Sequence, residues 1–195
     1  VVDLPSARGI NWGSWTMEDR GRTLIYGVLD VEGVRTAFLS RADGRDGLKG
    51  TWSYWDGSGW SAEETAAAPV AENVANEFSV QKVRDGYLMV THDTSELFST
   101  RVVAKVACSP TGEFTGATEL FRTPETGATG SYADPNVFTY NAHAHPDLSR
   151  PVAGGGIRML VTYNVNTFDN VEGVYADASI YRPRFMDVRV DFRRR

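Results

Sequence analysis

The sequence predicts an all-β chain of about three β-propeller blades, each made of four antiparallel strands. Three Asn-led segments recur at equal spacing: Asn11-Trp12-Gly13-Ser14-Trp15, Asn76-Glu77-Phe78-Ser79-Val80 and Asn141-Ala142-His143-Ala144-His145, a step of 65 residues each time. Repetition at such a period marks stacked or radially arrayed supersecondary units. Short apolar runs rich in β-branched and aromatic residues alternate with turn residues, as strands and hairpins do. Helical periodicity is poor. A plain β-sandwich with coincidental spacing is the competing fold.

The first unit spans about residues 10–70. It opens on the Asn-led strand, turns at Asp19-Arg20-Gly21, and continues through Leu24-Ile25-Tyr26-Gly27-Val28 and Val34-Arg35-Thr36-Ala37-Phe38-Leu39 to Thr51-Trp52-Ser53-Tyr54-Trp55. Gly in such turns supplies the positive φ that hairpins need, and Asp56-Gly57-Ser58-Gly59 is a second such turn. Ser61 with Glu64 reads as a capping box before Pro69, which predicts one or two helical turns. The second unit, about 75–135, carries strands at Tyr87–Thr91, Thr100–Val106 and Glu119–Phe121, with a turn at Asp85-Gly86. The third, about 140–192, has an insertion from Pro146 to Gly156, then strands at Met159–Tyr163 and Ala178–Tyr181. At least four blades are normally needed to close a propeller. Open edges invite aggregation, so a longer protein or a second chain is expected to complete the ring. The block Val1–Arg8 is a candidate end of a preceding blade.

At 195 residues a single domain with a sizeable core is expected. A net charge of −5, spread along the chain, argues against a nucleic-acid groove or an anionic membrane as the main partner. No apolar run approaches the roughly 20 residues that span a bilayer. No signal peptide is evident at Val1, and without an initiating Met that residue reads as a processed or trimmed end. The single cysteine, Cys108, excludes an intrachain disulfide, and its apolar neighbours suggest a buried small side chain. The tail Arg193-Arg194-Arg195 reads as a solvated end.

The most specific text lies in the last third: Tyr140-Asn141-Ala142-His143-Ala144-His145-Pro146, Val161–Asn166 and Ile180-Tyr181-Arg182-Pro183-Arg184-Phe185. With Trp52-Ser53-Tyr54-Trp55 and Asn76–Val80, it resembles the C-terminal part of actinobacterial secreted proteins long catalogued as a domain of unknown function. The resemblance covers most of residues 10–190. It implies a five-bladed propeller, secretion, two further blades before Asn11, and, as in some members, endo-D-arabinanase activity on arabinan. It also admits a central ion, calcium or another metal.

Glycosidases place two carboxylates across the scissile bond. Glu77 is the carboxylate within the Asn-led openings, flanked by Asn76 and Phe78; a desolvated Glu there would serve as general acid. Asp134, before the third inner strand, is the candidate partner, with the missing blades as the other source, whereas Glu18-Asp19 reads as a turn. Asn76 and Asn141 open inner strands and are candidate substrate-binding residues. Trp12 and Trp15 would stack on sugar faces or fill the core, while Trp52, Trp55 and Trp60 suit packing between blades. Arg182 and Arg184 would clamp sugar oxygens or lock the last blade by ion pairs. His143 and His145, two apart on a strand, share one face and could ligate a metal or bond between blades; His92 is the third histidine. The leading expectation is a glycoside hydrolase acting on an arabinan-like polysaccharide. A non-catalytic carbohydrate-binding propeller and a protein-interaction propeller are the alternatives.

Overall fold

Residues 7–43, 47–169 and 171–192 are described by a computed structural model of the chain. The Arg193-Arg194-Arg195 tail and all of the Val1–Arg8 block except Ala7 and Arg8 lie outside them. The elements are antiparallel strands with short helical turns. The first sheet holds β1 (Asn11–Asp19), β2 (Arg22–Val31), β3 (Val34–Asp43), β4 (Thr51–Trp55), β5 (Trp60–Ser61) and β6 (Pro69–Glu72). The second runs β7 (Phe78–Val83), β8 (Gly86–His92), β9 (Arg101–Ala107) and β10 (Thr115–Arg122) in plain meander order. The third holds β11 (Val137–Ala144), β12 (Arg150–Val152), β13 (Gly156–Thr167) and β14 (Pro183–Val190). A short helix, α1 (Glu172–Ala176), links the last two strands.

Turn chemistry builds these meanders. Arg20 and Gly21 both take positive φ (52° and 78°) between β1 and β2, and Glu32 and Gly33 (54° and 85°) do so between β2 and β3. Such pairs match the twist of the strands they join. Asp56 Oδ1 accepts bonds from the Ser58 and Gly59 amides at 2.8 and 2.6 Å, which fixes the β4–β5 turn around Gly57. Gly86 has a different role from the expected positive φ: a Cβ there would collide with the Ala107 carbonyl oxygen of β9.

The sheets pack in series. Their first strands touch, β1 against β7 and β7 against β11. Trp15 donates its indole N–H to the Val80 carbonyl at 2.8 Å, and the Ala144 amide donates to Ser79 Oγ at 2.8 Å. Each of these partners lies 65 residues from the other. The middle sheet is buried on both faces. On β8, Tyr87 and Met89 face the first sheet with Tyr26 and Phe78, whereas Leu88 and Val90 face the third with Val161 and Tyr163. That two-sided burial explains the continuous apolar run of β8; each large side chain so buried contributes roughly 1.5–3 kcal/mol.

Four differences from the sequence expectation have physical causes. Ala178–Tyr181 is a turn and not a strand, because Asp177 Oδ1 accepts the Ser179 amide at 2.9 Å and the backbone follows that local bond. The third sheet is therefore narrow: β11 and β12 share one edge of β13, and β14 occupies the other. The capping box is not formed. Glu64, in a single 3-10 turn, accepts the Ala7 amide at 2.6 Å and the Trp12 indole at 3.2 Å, so Ala7 docks on the first sheet. Arg8 follows it, over the Phe38 ring at 4.8 Å. Cys108 is exposed, in the turn after β9.

Candidate functional site

The entry to β7 is where predicted residues converge. Asn76 and Glu77 form a bend before the strand, both exposed, at the mouth of a crevice of about 520 Å³. Tyr140 of β11 lines the crevice too, and also a smaller hollow of about 110 Å³ that holds Tyr181 and Arg182. Burial first, then the Tyr181 hydroxyl and the Glu77 carboxylate, push the Tyr140 phenol up. Tyr140 therefore stays protonated at neutral pH, lining the crevice with Glu77 and the hollow with Arg182.

The crevice carries further carboxylates. Asp30 accepts the Gly33 amide at 2.9 Å and thereby holds the β2–β3 turn. Asp93, buried, pairs with Arg101 at 2.6 Å and accepts the Ser95 amide at 3.1 Å. Glu96 lies on the β8–β9 loop, exposed, and among the described residues no arginine or backbone amide holds its side chain. His92 lies against the same space. Its Nε2 is 3.4 Å from Thr139 Oγ1, and its Nδ1 has no partner among the described residues. Burial pushes the imidazole down to about 4.

The remaining predicted residues sit elsewhere. Trp12 is 9% exposed and packs edge-on against Trp52 with its N–H on Glu64, so no sugar can stack on it. Trp15 is half-buried and lines a larger cavity of about 850 Å³ at the opposite end of β7. That cavity is the roomier of the two but holds no other predicted residue. Its two carboxylates are Glu18, which accepts the Thr23 hydroxyl at 2.6 Å, and Asp147. Trp55 and Trp60 pair at 5.8 Å against the core between the first two sheets.

Asp134 is an Asx-type turn residue whose Oδ1 accepts the Asn136 amide at 2.8 Å, and it is not among the residues that line the crevice. Arg184 is taken up by partners within the protein, as the ion-pair alternative expects. It donates to buried Glu125 at 3.1 Å, to Tyr132 Oη at 2.8 Å and to the Ser179 carbonyl at 3.2 Å. Arg182 is exposed and faces the small hollow. Asn141 does not open its strand. It sits mid-β11 at φ 57°, inside a register shift, where it bonds the His143 ring at 3.0 Å.

His143 and His145 lie with ring centroids 4.9 Å apart. His145 Nε2 is 2.8 Å from Thr162 Oγ1, and burial and then His143 push that imidazole down. Among the described residues no group of three or more His, Cys, Asp or Glu could hold a metal, so this pair lacks a third ligand here. No helix of the described residues is long and apolar enough to cross a membrane.

Sequence reasoning gave no role to Tyr140 or the β8–β9 loop and named His92 only as a third histidine. The loop did leave a signal, since Leu97 and Phe98 are large apolar residues within the polar string Ser95-Glu96-Leu97-Phe98-Ser99-Thr100.

A family model described as "Domain of unknown function (DUF5005)" matches residues 2–190. No curated protein matches the chain. Among solved structures, that of a provisionally assigned hydrolase from Bacteroides ovatus ATCC 8483 is similar at a TM-score of 0.71 and 22% identity, over 92% of this chain and 45% of that one. That of an α-L-arabinofuranosidase from Clostridium thermocellum ATCC 27405 gives a TM-score of 0.45 and 10% identity, over 94% and 56%. The chain thus spans about half the length of the solved proteins it matches. The first likeness is one of fold.

Proposed function

The chain belongs to the family described as a domain of unknown function, DUF5005, and from that premise we propose that it is a glycoside hydrolase acting on an extracellular, arabinan-like polysaccharide. The three sheets are read as blades of a five-bladed propeller whose other blades come from chain outside this sequence. Their first strands touching in series, with partners 65 residues apart, support that geometry. The likeness to a hydrolase is one of fold and assigns no reaction by itself.

The observation that carries the reaction is the crevice before β7, which brings Glu77 and Asn76 to protonated Tyr140 and gives Glu96 access to the same space. In this reading Glu77 donates a proton to the glycosidic oxygen as its bond to the anomeric carbon breaks, and water takes the place of the leaving sugar hydroxyl with the help of a second carboxylate. Glu96 is the second carboxylate, free of structural bonds within the described residues. Asn76 and Tyr140 orient hydroxyls. Replacing Glu77→Gln should lower polysaccharide cleavage by about 100-fold or more while binding persists. Reducing-sugar release and affinity gel electrophoresis measure the two. Unchanged turnover removes Glu77 from the chemistry.

The exposure of Glu77, where a desolvated acid was expected, favours a second reading: a non-catalytic carbohydrate-binding domain. Binding by the wild-type chain without any release of sugar would select it.

A further inference from the structure

Beside the crevice stands a cluster of three phenylalanines, two of them exposed and Phe138 half-buried. Phe138 and Phe168 stack at 4.6 Å and 25°. Phe98 meets Phe168 edge-on at 5.0 Å, and Phe138 lies 5.8 Å from Tyr140. Phe98 is 48% exposed and Phe168 55%. Three separate segments supply these rings: the β8–β9 loop, β11 and the end of β13. Phe98 is held at φ 52°, a left-handed backbone that bulky side chains rarely adopt. Strain retained at an exposed aromatic next to a cavity points to a positioning role.

We propose that Phe98, Phe138 and Phe168 form an aromatic wall on which one ring of a neutral glycan chain stacks as it enters the crevice. The proposal rests on the carbohydrate reading above. Sugar C–H faces pack on aromatic rings, while their hydroxyls donate to carboxylate and amide oxygens. Here both partners are contiguous. The wall meets the crevice through Phe98 and Phe138, and Glu77, Asn76 and Glu96 supply acceptors across it. An apolar protein partner would instead have to strip water from Glu77, Glu96 and Arg35 around the crevice, at a desolvation cost.

The test uses the full chain in the Glu77→Gln background, so that glycan is not consumed. Affinity electrophoresis through gels containing arabinan, xylan or arabinogalactan should retard this parent in at least one. Phe98→Ala and Phe168→Ala should each weaken retardation about tenfold, with mobility unchanged in glycan-free gels, and Phe98→Trp should preserve it. Alanine variants retarded like the parent would overturn the wall; loss of cleavage in Glu77→Gln would then still leave the hydrolase reading standing. If the parent is a dimer, and Phe98→Ala makes it monomeric without changing retardation, the rings are a contact between copies and the proposal fails. If no glycan retards the parent and the wild-type chain releases no sugar, both readings fall together.

Discussion

His92 shows how one residue ties stability to the site. The imidazole is 4% exposed and held neutral by burial, at about 4 instead of the ordinary 6.5. The unfolded chain therefore takes up a proton first as pH falls. The stability linked to the neutral ring is complete above about pH 6.5, declines from there to about pH 4, and is gone below it, a loss of about 3 kcal/mol. Urea unfolding at pH 7 and pH 4.5 should show this loss in the wild type and a flatter profile in His92→Gln. Equal profiles would mean that the ring is protonated in place. The sequence marked His92 only as a third histidine beside the His143 and His145 pair, because a ring's burial is set by what lies across from it, here Thr139 and Tyr163. The place of Asn76 and Glu77 at the entry to β7 was legible, since the repeat marks where that strand begins. For Trp12 and Arg184 the sequence offered core filling and ion pairing beside a sugar contact, but not the partners, since Glu64 and Glu125 lie 52 and 59 residues away.

Strands and hairpins were the most legible level, because their signals are local. Glycine-bearing turns and alternating apolar runs located β2, β3, β4, β8 and β9. Misreadings fell where a side chain competed with the backbone pattern: Asp177 bends an apolar run into a turn, and Glu64 leaves its helix end for an indole. Gly86 is a case of packing between elements. The β7–β8 hairpin lies so close to Ala107 of β9 that a methyl group has no room. Gly86→Ala should cost about 1–3 kcal/mol, read as a lower urea midpoint. A midpoint within a few tenths of a kcal/mol of wild type would show that β9 can give way.

At the scale of the molecule, the joints between sheets are made by polar bonds as well as by core packing. Ser79 is fully buried and receives the Ala144 amide across the joint between the second and third sheets. Ser79→Ala would strand that buried amide and should cost about 1–3 kcal/mol. Ser14→Ala, whose hydroxyl makes an exposed bond of 3.4 Å, is the matched control and should change little. Equal urea midpoints for the two variants would show that the joint does not depend on Ser79. The regular step between joints was legible in the sequence; the narrowness of the third sheet was not, since it depends on which edge of β13 each neighbour takes. That step has a kinetic consequence. Trp15 to Val80 and Ser79 to Ala144 close loops of the same length, and at equal stiffness the entropy of closing a flexible loop is set by its length. Chain topology therefore gives neither joint a head start during folding. Which one forms first is left to side-chain chemistry: an aromatic anchor on one side, and a hydroxyl that must shed its water on the other.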